Sequence, residues 1–304
     1  MISTDKKPRG DHMSATVGII GLGIMGGAMA RNLVAAGWNV LGFDTSAARL
    51  AELAADGVVP CATVADVAKG AEILLTSLPS AKACAATATA IAESGAPRRV
   101  VIEASTLALP DKMFFHDTLK AAGHEPLDCP ISGTGSQAAA KDLVIYASGD
   151  HDSIEALRPF YAAFTRAVHN VGAYSNGTKM KYVANLLVAI NNVATAEAMV
   201  LGMKAGLDPQ QINELIAGGA GNSRIWELRA PMMARNEYLP ATMKIDIWQK
   251  DMDVIGHFAT QLGVPTPTFS ATIPIYAAAQ AQGHGAEDTA AVCAVLEAMS
   301  AHKR

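Results

Sequence analysis

The chain has few aromatic residues and few charges, and neither sign of charge dominates. Aromatic residues make up 5% and charged residues 17% of its 304 positions, and the formal net charge is -4. Half of the residues are hydrophobic, which excludes intrinsic disorder as the main state. Because no cluster of lysine and arginine forms a basic stripe, we expect no nucleic-acid partner. The core must consist mainly of Ala, Val, Leu, Ile and Met, a composition typical of helices packed around a parallel sheet.

Signals for disulfides, metals, export and membranes are also missing. The four cysteines, at positions 61, 84, 129 and 293, are far apart and form no C-x-x-C pair, so we expect reduced, mostly buried thiols and no metal site. The polar tail at residues 1–13 has no apolar core of a signal peptide and is expected to be disordered. No apolar run reaches the ~18 residues of a membrane span. We therefore expect a cytoplasmic protein with no membrane partner.

The first half of the chain alternates short apolar runs with segments of helix length. The predicted strands are 16–20, 38–43, 72–78, 99–103, 125–128 and 143–147, and the predicted helices include 25–36 and 46–56. Strands separated by such segments indicate βαβ units and a parallel sheet. We therefore predict an α/β domain with a doubly wound parallel sheet, a Rossmann fold, over residues 14–175.

The second half shows no strand-like alternation, and we predict an all-α domain over residues 176–304. It is expected to begin with one long interdomain helix, to contribute to the substrate cleft and to carry the oligomer contacts. Asp208-Pro209 is typical of a helix start, with Asp at the N-cap and Pro in the first turn. Further helices are predicted at about 244–263 and 268–283, and Glu287-Asp288 opens the last one.

The strongest motif is G-x-G-x-x-G, formed by Gly21, Gly23 and Gly26 between an apolar strand and a helix. The first glycine allows a tight turn, the second lets the backbone approach a pyrophosphate, and the third lets helix and strand pack closely. The helix N-terminus offers unpaired N–H groups to the phosphates. This context predicts a dinucleotide site that also includes the intervening residues Leu22, Ile24 and Met25.

Asp44 ends the next predicted strand, at the spacing expected of a ribose-binding carboxylate, about 20 residues after the first glycine. Its carboxylate can accept hydrogen bonds from the ribose 2′-OH and would repel the 2′-phosphate of NADP. No arginine follows it directly, and the nearest is Arg49. We therefore predict NAD as the cofactor; the alternative is that Asp44 only caps the next helix.

Lys181 and Asn185 lie four residues apart on the predicted long helix and share one face. Oxidation of an alcohol needs a partner for the hydroxyl proton, and a lysine in a half-buried cleft can serve because desolvation favours its neutral form. An asparagine can donate to and accept from a substrate or the lysine. Taken alone, such a pair is more often part of a solvated helix face.

Two strand ends carry hydroxyl-rich loops. Ser132-Gly133-Thr134 follows one predicted strand, and successive N–H groups of such a loop can form an anion site. Ser105-Thr106 follows another strand and brings hydroxyls to the carboxyl edge of the sheet, where ligands bind in open α/β folds. An ordinary turn is the alternative for each.

These elements, in this order, resemble the β-hydroxyacid dehydrogenase family, which includes 3-hydroxyisobutyrate dehydrogenase and tartronate semialdehyde reductase and is related to 6-phosphogluconate dehydrogenase. The resemblance runs from about residue 15 to 298. The matching segments are the glycine signature at 17–26, Leu78-Pro79, Ser105-Thr106, the D-x-P-x-S-G loop at 128–133, the G-x-x-x-K-x-x-x-N helix at 177–185 and Lys250-Asp251.

The resemblance implies a function for each matched position. Lys181 would be the catalytic acid/base, and Asn185 would orient the substrate hydroxyl or the lysine. The substrate carboxylate would be held by Ser132, Gly133 and Thr134. The cofactor would be lined by Leu78, Pro79, Thr106 and Lys250. The implied activity is reversible NAD-dependent oxidation of a small 3-hydroxy carboxylate by a homodimer or homotetramer.

Departures from the family pattern leave the substrate open between a polyhydroxylated and a branched-chain acid. Glu103 replaces the usual Asp before Ser105, and Thr134 replaces a glycine in the substrate loop. Two further activities remain as alternatives: an imine reductase using NADPH and a non-catalytic NAD-binding module. Oxidative decarboxylation is disfavoured, because we find no phosphate-binding cluster of basic residues.

Overall fold

The computed structural model describes residues 15–304, so the tail at 1–13 lies outside the described residues. The chain forms two compact units, Met1–Lys181 and Tyr182–Arg304. Their division falls inside a long helix, six residues after the predicted boundary at 175/176, and that boundary stays a prediction.

Among residues 15–304, the strands are β1 (Thr16–Ile20), β2 (Asn39–Phe43), β3 (Val59–Pro60), β4 (Ile73–Thr76), β5 (Val100–Glu103), β6 (Glu125–Asp128), β7 (Ile131–Ser132), β8 (Leu143–Ala147) and β9 (Thr165–Asn170). The helices of the first unit are α1 (Ile24–Ala35), α2 (Ala47–Ala55), α3 (Val64–Gly70), α4 (Ala81–Ala92), α5 (Leu109–Ala121), α6 (Gly135–Ala139), α7 (His151–Ala156) and α8 (Arg158–Ala162). The remaining helices are α9 (Asn176–Lys204), α10 (Pro209–Ala217), α11 (Arg224–Arg235), α12 (Ile245–Gln261), α13 (Pro267–Ala281) and α14 (Val292–Met299), and a 3-10 turn at Thr289–Ala291 precedes α14.

Six strands of the first unit form one parallel sheet in the order β3-β2-β1-β4-β5-β6, which confirms the predicted doubly wound architecture. Val17 and Ile19 enter one buried cluster, whereas Ile20 enters the cluster on the opposite face. Both faces are therefore covered, as expected for a parallel sheet. All carboxyl ends share one edge, and the strand order reverses between β1 and β4, where ligands bind in such folds.

The strand at 143–147 does not continue the parallel series, and that prediction was wrong. β8 pairs antiparallel with β7 and parallel with β9 in a separate three-stranded sheet. A crossover back into a parallel sheet needs about a dozen residues and usually a full helix. Only the five-residue helix α6 separates β7 from β8, so the chain turns back on itself instead.

The second unit contains helices apart from one isolated bridge between Lys244 and Asp288, which confirms the all-α prediction for the residues described. Asp208 caps α10 by accepting a hydrogen bond from Gln211 N at 2.9 Å. Asp288 opens the final helical segment by accepting from Ala290 N at 3.0 Å. These local caps were visible in the sequence, whereas α11 was not predicted.

By length and composition alone, α9 is apolar enough to cross a membrane, contrary to the expectation that no segment would be. A helix in the core of a protein unit meets the same two criteria. Within the second unit, buried Asn192 donates hydrogen bonds to Tyr276 Oη at 2.9 Å and to Thr289 O at 2.8 Å. Such polar contacts with neighbouring helices are those of a core helix, and the cytoplasmic location stays a prediction.

Candidate active site

The glycine motif forms the turn from β1 into α1, and two of its glycines are required by close contacts. Gly21 has φ +90°, a conformation that glycine adopts most readily, and a Cβ there would overlap Ser77 O. A Cβ on Gly26 would overlap the carbonyl oxygen of Gly21. These contacts give the helix its close approach to the strand.

The space over the middle of the motif is open, in keeping with a bound pyrophosphate. A Cβ on Gly23 would meet no atom within 4 Å, and no side chain caps the N-terminus of α1 at this residue. Ile24 is 57% exposed, whereas Leu22 is buried and Met25 packs against the core. Gly23 and Ile24 therefore lie on the open side of the loop, whereas Leu22 and Met25 face the core. The N-terminal amides of α1 have no side-chain cap and can bind an anionic cofactor.

Asp44 follows β2 directly, and its carboxylate contacts the glycine loop. Oδ2 accepts a hydrogen bond from Leu22 N at 2.7 Å, and Oδ1 accepts from Ser46 N at 2.8 Å. The helix cap proper is Ser46, whose hydroxyl accepts from Arg49 N. The alternative that Asp44 only caps the helix is therefore disfavoured, and its half-buried carboxylate keeps lone pairs for a ribose.

The loops after β4 and β5 are tied to each other at the same edge. Leu78 N donates to Ser105 Oγ at 2.7 Å, which fixes the turn at Leu78-Pro79 against the Ser105-Thr106 segment. Leu78 and Thr106 are half-buried and Pro79 is exposed, whereas Ser105 is buried. Ser105 is thus a structural hydroxyl, and the cofactor contacts predicted for the other three residues stay predictions.

The substrate loop runs through β7 into α6. Gly133 has φ +147°, and a Cβ there would lie 2.6 Å from Leu143 Cδ2. The capping box of α6 uses both Thr134 polar groups: its hydroxyl accepts from Gln137 N, and its N–H donates to Gln137 Oε1 at 3.0 Å. Thr134 is therefore engaged in the helix cap, and the carboxylate contacts predicted for Ser132, Gly133 and Thr134 stay predictions.

The substrate loop lies beside the glycine motif within the first unit. A Cβ on Gly135 would lie 2.6 Å from Ile24 Cγ2, so the lack of a side chain at Gly135 leaves room for this approach. Asn32 in α1 donates to Ala138 O in α6 at 2.7 Å. The helix that would carry the pyrophosphate therefore also positions the substrate loop.

The first turn of α9 is attached to the end of β6. Asp128 Oδ2 accepts from Thr178 N at 2.8 Å, and Oδ1 accepts from Thr178 Oγ1 at 2.8 Å. A carboxylate at this end of a helix stabilises the four unpaired N–H groups. Gly177 allows the approach, because a Cβ there would lie 2.7 Å from Asp128 O. Lys181 follows one turn later and is 8% exposed.

Asp128 itself belongs to a buried ionic cluster beneath the sheet edge. Lys112 in α5 contacts the carboxylates of both Glu103 and Asp128, the second at 3.0 Å, and all three side chains are fully buried. Burial alone would lower the pKa of Lys112, but Asp128 and then Glu103 reverse this and leave it raised. Glu103, which stands where the family usually has Asp, therefore forms an ion pair with a buried lysine.

In the second unit, Asn185 is held by an acidic residue that was not among the predicted site residues. Asn185 Nδ2 donates to Asp251 Oδ2 at 2.8 Å, and both side chains are buried. Lys250 Nζ lies 3.3 Å from Asp251 Oδ1. The predicted residues Asn185 and Lys250 are therefore brought together by Asp251, whose only sequence signal was its place next to Lys250.

Within residues 15–304, no group of three or more His, Cys, Asp or Glu side chains is arranged to hold a metal ion. The four cysteines are free, and three of them are buried. Burial raises the pKa of the Cys129 thiol to about 12, which keeps it protonated and unreactive at neutral pH.

Two family models match successive parts of the chain. Residues 16–172 match the NAD binding domain of 6-phosphogluconate dehydrogenase. Residues 175–296 match the NAD-binding domain of NADP-dependent 3-hydroxyisobutyrate dehydrogenase.

Individual relatives align over nearly their whole length. L-threonate dehydrogenase of Cupriavidus necator is 32% identical, with 93% of this chain and 97% of the relative covered. 2-(Hydroxymethyl)glutarate dehydrogenase of Eubacterium barkeri is 29% identical over 94% of this chain and 96% of its own. The solved structure of Mycobacterium tuberculosis 3-hydroxyisobutyrate dehydrogenase with L-serine is 29% identical, has a TM-score of 0.84, and is matched over 93% of this chain and 99% of that one.

Proposed function

Because the chain belongs to the β-hydroxyacid dehydrogenase family, we propose that it catalyses the reversible NAD-dependent oxidation of a small 3-hydroxy carboxylate to the semialdehyde or ketone, with Lys181 as acid/base. It is an oxidoreductase with an NAD-binding domain, as its relatives are dehydrogenases of hydroxy acids. The proposal concerns the substrate, the preference for NAD and the tasks of individual residues.

The observation that carries this proposal is the polar pair on α9. Lys181 and Asn185 lie one helical turn apart, and both are buried rather than part of a solvated face. Burying a lysine and an asparagine costs free energy unless they find partners. Asn185 offsets this cost through its hydrogen bond to Asp251, and two buried polar side chains one turn apart on α9 support a task in binding or catalysis.

The hydrogen bond to Asp251 determines which polar atom of Asn185 is available to a substrate. Since the amide nitrogen faces Asp251, the amide oxygen faces away from it and can accept from a hydroxyl or an ammonium group. Asp251 also lies beside Lys250, so its charge is partly balanced. We infer that Asp251 orients Asn185 without contacting the substrate.

The proposed reaction divides its tasks between chain and cofactor. When bound, NAD supplies the two-electron oxidant that accepts a hydride from the substrate carbon. Lys181 takes the proton of the substrate hydroxyl in the oxidation and returns it in the reduction. The Ser132 hydroxyl and the Gly133 N–H hold the carboxylate, and Asp44 holds the ribose of the cofactor.

The substrate is proposed from the chemistry that the relatives share. L-threonate and 2-(hydroxymethyl)glutarate are the compounds that give two relatives their names, and both are small hydroxy carboxylates. We propose a polyhydroxylated four-carbon acid of the threonate type as the first candidate and 3-hydroxyisobutyrate as the second. Absorbance at 340 nm with NAD and a panel of these acids separates them, and no response to any of them would contradict the proposal.

Replacing Lys181 by Ala tests its task. We expect kcat to fall roughly 10²–10⁴-fold, the usual contribution of a positioned acid/base, while the Kd of NAD stays within a few-fold. Lys179→Ala is the matched control, because Lys179 lies two residues earlier and contacts Asn176 Oδ1 at 3.3 Å. A Lys181→Ala enzyme with near-normal kcat would exclude the acid/base assignment.

Two alternatives are separated by the same assays. An imine reductase would reduce a C=N substrate with NADPH and show no hydroxy-acid oxidation. A non-catalytic NAD-binding module would bind NAD without turnover of any substrate, and it would have no need for buried Lys181 and Asn185 together.

We also propose that the protein is a homodimer or homotetramer in the cytoplasm. The support is a set of apolar side chains on α9 that stay exposed in the single chain: Val183, Leu187 and Leu201 are 54%, 52% and 73% exposed. Apolar side chains repeated along one helix are commonly covered by a partner.

A further inference from the structure

The backbone of Leu22, inside the glycine motif, is held at both its N–H and its carbonyl oxygen, which belong to successive peptide groups. Its N–H donates to Asp44 Oδ2 at 2.7 Å. Its carbonyl oxygen accepts two hydrogen bonds from the Arg49 guanidinium, from Nε at 2.9 Å and from Nη2 at 2.7 Å. Nη2 also donates to Gly23 O at 3.2 Å. Asp44 directly follows β2 and Arg49 lies in the first turn of α2, so the two ends of this connection hold the loop in place.

Arg49 is itself fixed in position. Its Nη1 forms an ion pair with Glu52, one turn further along α2. A Cβ on Gly27 would lie 2.5 Å from Arg49 Nη2, so a glycine just outside the G-x-G-x-x-G motif leaves room for the guanidinium. The resulting fork of parallel N–H donors is a geometry that a lysine cannot reproduce.

Because a peptide group is planar, these contacts determine which way the next backbone N–H groups point. In a planar trans peptide, the C=O of one residue and the N–H of the next point in opposite directions. Holding Leu22 O toward Arg49 therefore directs the Gly23 N–H to the other side. Gly23 O accepts from both Arg49 Nη2 at 3.2 Å and Gly27 N at 2.8 Å, so the arginine and the helix together direct the Ile24 N–H. These two amides lie at the N-terminus of α1, where the N-cap residue Gly23 supplies no side-chain hydrogen bond.

We propose that Arg49 is a cofactor-positioning residue: it fixes the direction of the Gly23 and Ile24 amides toward the pyrophosphate and touches no cofactor atom itself. The inference rests on the cofactor site of the proposed function. In this proposal the Arg49 guanidinium is occupied by the carbonyl oxygens of Leu22 and Gly23. Arg49 is therefore not a ligand for the 2′-phosphate of NADP.

The test is binding of ADP-ribose, measured by calorimetry, together with steady-state kinetics. Arg49→Gln should raise the Kd of ADP-ribose and the KM for NAD by about 10-fold or more, the range for lost hydrogen bonds to a charged group. The value of kcat and the KM for the hydroxy acid should change less than about twofold, because the loop takes no part in the chemical step. The ratio of kcat/KM for NAD to that for NADP should stay the same, since both cofactors carry the pyrophosphate.

Arg31→Gln is the matched control. Arg31 pairs with Glu52 and Asp56 on the same surface, so its loss disturbs the same ion-pair network without removing a contact to the loop. It should leave the Kd of ADP-ribose unchanged within about twofold, because exposed pairs of this kind contribute little.

Gly27→Ala provides a second route to the same result. The added methyl group displaces the guanidinium, whereas alanine in place of glycine favours the helix itself. A raised Kd of ADP-ribose in a variant that keeps its Tm would therefore support positioning rather than a general loss of stability. If Arg49→Gln fails to fold, Gly27→Ala and Arg49→Lys give the answer.

Each adverse result has a distinct meaning. If Arg49→Gln, or the substitutes Gly27→Ala and Arg49→Lys, leave the Kd of ADP-ribose as unchanged as Arg31→Gln does, the positioning inference is overturned. A change of tenfold or more in the NAD to NADP ratio would instead make Arg49 a phosphate ligand and overturn it as well. Wild-type protein that binds no ADP-ribose would contradict the cofactor site and, with it, the proposed function.

Discussion

Replacing Lys112 by Met should destabilise the first unit more than any surface substitution. The Lys112 ammonium group is fully buried between the carboxylates of Glu103 and Asp128. These carboxylates stand on paired positions of adjacent parallel strands, β5 and β6, and so lie close together. Methionine has a similar length but no charge, so the variant keeps the packing and leaves two buried carboxylates next to each other.

The expected loss of folding free energy follows from leaving a buried charge without its partner. Removing one partner of a buried ion pair costs about 3–5 kcal/mol. For a unit of this size, that loss corresponds to a decrease in Tm of roughly 10 °C. The matched control is Lys120→Met on the same helix, because Lys120 is 43% exposed and pairs with Glu125 at the surface. That control should cost at most about 1 kcal/mol.

A double variant separates charge from packing. Lys112→Met with Glu103→Gln leaves Asp128 as the single buried carboxylate, and its hydrogen bonds from Thr178 remain. The net charge of the cluster then equals that of the wild type. We expect the double variant to recover about half or more of the lost stability, since coupled neighbours give interaction energies of roughly 0.5–3 kcal/mol.

The direction of the Lys112 pKa shift determines how its contribution to stability changes with pH. In the wild type, the raised pKa of Lys112 means that its contribution is fully present below the unfolded pKa of about 10.4 and is lost only at higher pH. Lys112→Met lacks this contribution, so its deficit in Tm should persist at every pH below about 10. Thermal unfolding by circular dichroism from about pH 5 to pH 8 measures this deficit. A Lys112→Met protein with a Tm within about 2 °C of the wild type at pH 8 would refute the reasoning.

Three further predictions concern the site and the assembly. The enzyme should show a kcat/KM for NAD at least about 10-fold above that for NADP, because Asp44 repels a 2′-phosphate; equal values would contradict the NAD assignment. Gly177→Ala should cost about 1–3 kcal/mol and lower kcat, since its Cβ would lie 2.7 Å from Asp128 O at the start of α9, whereas Gly218→Ala, with only Leu215 O at 3.9 Å, should do neither. Light scattering at micromolar concentration should give a mass of two or four chains, and a 31.5 kDa species would argue against the proposed oligomer.

Much of the first unit was predictable because its signals are local. The turn after β1 requires glycine at Gly21 and Gly26, and the strand, turn and helix that surround it follow one another directly in the chain. Asp44 was found for the same reason, since the end of β2 is fixed by the apolar run before it. The helix starts at Asp208 and Asp288 were visible because a cap is a contact over two or three residues.

The second sheet could not be predicted from the same signals. The run at 143–147 has the alternation of a strand, but alternation does not say which neighbour a strand pairs with. Its partners β7 and β9 have weak patterns, and β7 is only two residues long. Pairing was therefore decided by the length of the connections and by packing.

The amino-acid sequence by itself determined the parallel sheet, the dinucleotide turn and the long helix bearing Lys181, because backbone conformation and hydrophobic periodicity act over a few residues. Only the tertiary structure brought Asp251 to Asn185 across 66 positions, Asp128 to the first turn of α9 across 50, and Arg49 to the carbonyl of Leu22 across 27. These partners carry ordinary surface-type side chains with no local pattern. Their tasks arise from burial and hydrogen-bond geometry, which exist only once the chain has folded.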